Sequence, residues 1–208
     1  IILPDSSRVL LNCDTRIVFP DRFTGPTREV FVSGEAFFEV APDSLLPMVV
    51  TTPRNFRIEV VGTTFNIRSY EDEDESQTTL FSGKINLISN SSSNKGKEII
   101  TVLRPNESYI IKSDYSIETV TNDSEILKEV AWKDGKLIFE LTPMRKIITK
   151  LERWHGVEFI VEDKEVLDYK ITANFKSESV VQIMEMIKYT SLIDYSINDN
   201  IITLIKKQ

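Results

Sequence analysis

Thr142–Val161 reads TPMRKIITKLERWHGVEFIV, and its periodicity decides the fold of the last third of the chain. Met144, Ile147, Ile148 and Leu151 recur at i, i+3, i+4 and i+7, and Trp154 continues the row, so one apolar stripe runs along a helix. Pro143 suits the first helical position, where its missing N–H costs nothing, with Thr142 as the expected cap. Gly156 marks the end, where a left-handed residue is needed. Val157–Val161 then switches to strand composition. The same plan returns between residues 179 and 204. Ser179 with Gln182 forms a capping box, and Val180, Ile183, Met184 and Ile187 repeat the stripe. Lys136–Glu140 (KLIFE) and Tyr169–Phe175 (YKITANF) read as the strands before the two helices. Asp194–Ile197 (DYSI) and Ile201–Ile205 (IITLI) read as a closing hairpin through Asn198-Asp199-Asn200. The expected order is β-α-β-β-α-β-β, a small α+β domain over residues 131–208. A doubled unit this small leaves little room for an active site and points to an interaction module.

Upstream the period changes. Arg28–Val32 (REVFV), Glu35–Val40 (EAFFEV), Phe56–Val61 (FRIEVV), Thr64–Ile67 (TFNI), Thr78–Phe81 (TTLF) and Lys84–Ile88 (KINLI) are short and rich in β-branched and aromatic residues. Turn residues separate them, with Gly34, Gly62 and Gly83 expected where only a residue without Cβ turns cheaply. This predicts a mainly β domain over residues 1–125, of jelly-roll, sandwich or β-solenoid type. Charge supports a boundary near residues 121–131. Residues 1–130 hold 13 basic and 20 acidic side chains, whereas residues 131–208 hold 12 of each.

A net charge of −7 argues against a nucleic-acid footprint and against an anionic membrane surface. No apolar run approaches the ~20 residues of a spanning helix. One cysteine, Cys13, forbids an internal disulfide or a multi-thiolate metal site, and a buried small hydrophobe is its plain reading. One histidine, His155, excludes two-histidine metal sites; at a helix end it reads as a cation facing the last carbonyls. No GxSxG, GxxxxGK[ST] or GxGxxG motif is present. The acidic run Glu71–Glu75 lacks the alternation and glycine of a calcium loop and reads as a solvated hairpin loop. Asn90–Asn94 reads as a flexible patch, and Asn90, Asn106 and Asn122 match the N-glycosylation pattern.

Two rival functions remain. A carbohydrate-binding β-module would expose a row drawn from Phe37, Phe38, Phe56, Phe65, Tyr70 and Phe81. A hydrolase using paired carboxylates would hold Glu35, Glu39 or Glu59 in a cleft. On alternating strands the plain reading of these glutamates is solvent-facing, opposite a buried aromatic row.

The order of local signatures resembles the FecR family. Leu3-Pro4-Asp5-Ser6-Ser7-Arg8-Val9 is similar to its LPDGS-x-V opening, and Asn12 with Arg16–Pro20 (RIVFP) to its N…L-x-YP. Thr27–Val30 with Gly34–Val40 (GEAFFEV) resembles the R-x-V-x-L-x-GEAFF-x-V core, and Ile58–Ile67 (IEVVGTTFNI) resembles V-x-V-x-GT-x-FNV. Gly83-Lys84-Ile85 matches EGKV with Ser82 for the glutamate; Leu103–Glu107 matches L-x-PGE with Asn106 for the glycine. In GTTFN, Thr63 and Asn66 read as bonding to nearby backbone while Phe65 points inward. Trp132, Gly135–Phe139, Pro143, Leu151–Val157 and Phe175–Ser179 resemble the small domain appended to FecR-like proteins of polysaccharide-using Gram-negative bacteria.

The resemblance implies a non-enzymatic regulator without cofactor or metal. It implies the periplasmic part of an inner-membrane anti-sigma factor, with a cytoplasmic sigma-binding segment and one spanning helix upstream of Ile1. The implied partner is the N-terminal signalling domain of an outer-membrane TonB-dependent transporter, which triggers release of an extracytoplasmic-function sigma factor. Residues 131–208 are the expected docking part. Tyr195, Ile197, Ile201, Ile202, Thr203 and Leu204 are the expected contacts, with 201–204 as an edge strand open to a partner strand.

Overall fold

The computed structural model describes residues 1–53, 56–89, 98–112, 117–120 and 123–207. Chain contacts divide it into two units, Ile1–Val130 and Ala131–Gln208. The Asn90–Asn94 patch and the pattern at Asn122 lie outside the described residues.

The first unit is one sheet of eleven strands: β1 (Arg8–Leu11), β2 (Arg16–Val18), β3 (Arg28–Glu39), β4 (Met48–Thr51), β5 (Phe56–Val60), β6 (Thr64–Ser69), β7 (Glu75–Ser82), β8 (Ile85–Ser89), β9 (Glu98–Leu103), β10 (Glu107–Lys112) and β11 (Ile117–Val120), followed by the short helix α1 (Asp123–Glu129). The order is β11-β10-β7-β6-β3-β4-β5-β8-β9, with β1 and β2 also on β3. The pairs are antiparallel except β3 with β4. Strands from both ends of this order share one core: Leu103 of β9 and Tyr109 and Ile111 of β10 lie in the cluster that holds Phe38, Ile58, Phe65 and Ile67. The Thr101 and Tyr109 hydroxyls meet at 2.9 Å, which links β9 to β10. The sheet therefore curls almost to closure. At the centre the Phe38 and Phe65 rings stack with centroids 4.9 Å apart.

Gly34 does not separate two strands. It bends a single twelve-residue β3, and the two segments read from the sequence are one element. Its φ is +122°, and a Cβ there would lie 2.6 Å from Thr15 Oγ1, so glycine allows both the bend and the close approach. Below the bend β3 pairs with β2 and β4; above it, with β1 and β6.

The LPDSS opening is a long-range anchor. Asp5 accepts from Ser7 Oγ at 2.7 Å and from Arg28 Nη1 at 2.5 Å. Arg28 is buried and also donates to the carbonyls of Leu46 and Ala41. Burial opposes the charge on Asp5, but the hydrogen bonds from Ser7 and Arg28 hold its carboxyl below the usual range.

The second unit follows the expected order: β12 (Leu137–Pro143), α2 (Met144–His155), β13 (Glu158–Val161), β14 (Lys170–Phe175), α3 (Val180–Thr190), β15 (Ile193–Asn198) and β16 (Ile201–Lys206), with a 3-10 turn at Lys164–Asp168. β12 and β14 form a two-stranded sheet; β13, β16 and β15 form a three-stranded one. Both helical stripes are buried in one cluster: Met144, Ile147, Ile148 and Leu151 of α2 with Ile183, Met184 and Ile187 of α3. The Ser179–Gln182 capping box is formed. Thr142 does not cap α2. It belongs to β12, where its hydroxyl accepts from the Glu140 N–H, and Pro143 takes the cap position without a side-chain bond. The reason is a bulge between Phe139 and Thr142 that lengthens β12 and puts Leu141 at φ +45°.

Candidate partner-docking site

The expected docking residues fall on β15 and β16, and the geometry changes their role. β16 is the central strand, parallel to β13 and antiparallel to β15. The edge-strand expectation for Ile201–Leu204 is therefore corrected: their backbone groups are taken on both sides. Ile202 and Leu204 are fully buried beneath the helices, while Ile201 and Thr203 are half-buried on the opposite face. Alternation along the last strand was read correctly, but periodicity cannot tell a central strand from an edge one. A hairpin at the chain end looks peripheral, and the parallel pairing with β13 is a contact across some forty residues that no local signal reports.

The true edges of this sheet are β13 and β15, and on each of them outward N–H groups are bonded to side chains. The Phe159 N–H of β13 donates to Glu152 Oε1 at 3.0 Å. On β15 the Tyr195 N–H donates to Asp194 Oδ1 at 2.8 Å and the Ile193 N–H to Ser191 Oγ at 3.3 Å. Asp194 is held in turn by Lys188 at 2.6 Å. The Tyr195 hydroxyl donates to Glu185 Oε1 at 2.6 Å; burial and that carboxylate push its pKa up to about 12. Masked N–H groups are how a sheet edge avoids unwanted pairing.

The residues of the rival functions are placed differently from expectation. Glu35 is buried, not solvent-facing, because both faces of β3 are covered from Glu35 to Phe38. Its carboxylate accepts from Asn12 Nδ2 at 2.8 Å and Asn66 Nδ2 at 3.0 Å. Burial raises its pKa, against the lowering pull of Arg68. Asn66 thus bonds across the sheet rather than to nearby backbone, as does Thr63, whose hydroxyl donates to Lys84 O. Both Glu35 oxygens are occupied by structural donors, which gives this glutamate an anchoring role. Glu39, by contrast, is exposed and Glu59 half-buried. The acidic loop is more than solvated: Arg68 forms a two-point ion pair with Glu73 at 2.8 and 2.7 Å. Of the aromatics, Phe37, Phe38, Phe56, Phe65 and Tyr70 are buried, and Phe81 packs on Phe37 at 5.5 Å. They fill the interior and offer no stacking platform.

Two single residues also depart from expectation. Cys13 is exposed, in the turn between β1 and β2 where its N–H donates to Asn12 Oδ1. His155 ends α2, as expected, but burial lowers its pKa, which weakens its expected role as a cation facing the last carbonyls. Among the described residues, no group of three or more His, Cys, Asp or Glu is placed to hold a metal ion. No described helix is long and apolar enough to cross a membrane.

Comparison with known proteins agrees with this two-unit plan. Residues 1–86 match the "FecR protein" family model and residues 136–204 match "FecR, C-terminal". Two crystal structures of a "putative anti-sigma factor" from Parabacteroides distasonis ATCC 8503 are 29% identical to this chain. They cover all of it with TM-scores of 0.86 and 0.85, over 94% and 93% of their own chains. No curated protein matches the chain. A regulator built from a curled β unit and a doubled helix-strand unit is the class so defined. The chain belongs to the FecR family of anti-sigma factors.

Proposed function

We propose that this chain is the periplasmic signal-receiving region of a transmembrane anti-sigma factor. In this reading residues 131–208 dock the N-terminal signalling domain of a TonB-dependent transporter. Residues 1–130 carry the resulting state toward a sigma-binding segment in the cytoplasm, where an extracytoplasmic-function sigma factor is held or released.

The observation that supports it is the build of the second unit. Its apolar stripes are consumed by its own core, and its titratable groups serve as edge caps and surface ion pairs. What it offers outward is backbone and exposed side chains, which suits protein docking. Ile197, Ile201 and Thr203 keep some exposure, while Ile202 and Leu204 act only as support.

The test is calorimetry of the full chain against the signalling domain of the transporter encoded beside its gene. Saturable binding supports the reading; no binding, with both proteins folded, removes it.

A further inference from the structure

The two helices of the second unit repeat their inward stripe but not their outward one. On α2 the side away from the core is basic: Arg145 and Lys146 are exposed, and Lys150 and Arg153 are half-buried. On α3 it is apolar. Tyr189 is 86% exposed, and Val181, Met186 and Leu192 are exposed too, Leu192 just past the helix end. Among the described residues, no other helix or strand exposes more than one large hydrophobic side chain. None of these four packs into the unit's own core, and apolar groupings of this kind mark contacts with another protein.

The face is self-complementary. Val181, Glu185, Lys188 and Leu192 recur at i, i+4, i+7 and i+11, one row along α3 and its end. About the midpoint between Met186 and Ile187, Val181 is matched by Leu192 and Glu185 by Lys188. A second α3 laid antiparallel along the first therefore sets apolar against apolar and carboxylate against ammonium, each twice over. A two-fold contact requires this reciprocity, in which one residue meets another and is met by it in turn. Met186 and Tyr189 flank the row on one side, and the two-fold axis gathers both copies' pairs on that side. Glu185 already accepts from the Tyr195 hydroxyl and Lys188 holds Asp194, which fixes both side chains on this face. A carboxylate and an ammonium each have further bonds to give.

We propose that a second copy of this chain binds here, the two α3 helices packing antiparallel across a two-fold axis. One helix face offers less than the about 800 Å² per copy of a standard interface, so the pair forms and parts reversibly. The inference does not rest on the docking role proposed above.

Sedimentation velocity of the full chain, from micromolar to millimolar concentration, tests it, with circular dichroism confirming that each variant is folded. A monomer–dimer equilibrium is expected for the wild type. Met186→Asp, Glu185→Lys and Lys188→Glu are each expected to weaken it about tenfold or more. All three positions lie on the outer face, so the core is left intact. An equal mixture of the Glu185→Lys and Lys188→Glu chains is expected to recover association, because opposite charges then meet again across the axis. A wild type that stays monomeric throughout overturns the proposal, as does a dimer that these substitutions leave unchanged or a mixture that fails to recover. A monomeric wild type whose affinity for the transporter signalling domain falls with the same substitutions assigns the face to that partner, and the proposal falls with it.

Discussion

The two units solve the same problem with contacts of different reach. In residues 131–208 the core is written in helical stripes: Met144, Ile147, Ile148 and Leu151 sit within eight residues of one another and share one face. In residues 1–130 the decisive bonds join distant segments. Asp5 meets Arg28, and Asn12 and Asn66 meet Glu35. The first arrangement relies on apolar burial alone. The second buries an arginine and a glutamate and must satisfy them.

The largest effect expected from that contrast follows from Arg28→Met. It leaves Asp5 unpaired and the Leu46 and Ala41 carbonyls without their donor, a cost of about 3–5 kcal/mol. Both tryptophans, Trp132 and Trp154, lie in the second unit. Denaturation followed by far-UV circular dichroism is expected to shift, while the tryptophan fluorescence transition stays in place. Equal shifts by both probes would break the comparison by showing one cooperative block.

Ile187→Ala is the counterpart. It empties a fully buried site on α3 and is expected to cost about 2–5 kcal/mol, read this time by fluorescence. An unmoved fluorescence midpoint would count against the second core as described.

How much of each unit was legible follows the same division. Helical spacing, the Ser179 box and Gly156 act within one or two turns, so the second unit's order could be read directly. In the first unit, Glu35 looked solvent-facing because alternation reports one face. It cannot report that β1 and β6 both close on β3. Gly34 looked like a strand break because a bend and a break use the same residue. Cys13 looked buried because its residue type favours burial, yet the turn after Asn12 holds it outside. The docking strand was misplaced for a related reason: β16 is central through a parallel pairing that lies far off in sequence.

Acid titration sharpens the contrast within the first unit. Asp5 has a lowered folded-state pKa, so its contribution is present above its usual 3.8 and is lost as pH falls through the folded value. Glu35 has a raised one, so its contribution is present below its usual 4.5 and is lost as pH rises through the folded value. Glu35→Gln is therefore expected to gain stability relative to wild type as pH climbs above 4.5, measured by denaturant midpoints at several pH values. A difference that stays flat with pH would contradict the raised pKa of this buried glutamate.

The smallest effect belongs to Ser179→Ala. Loss of the capping box is expected to cost about 1 kcal/mol, seen in fluorescence and absent from the first unit's transition.

Amide hydrogen exchange on the full chain, with and without the transporter signalling domain, tests the docking role most directly. New protection is expected within residues 131–208. Protection confined to residues 1–130 would contradict it.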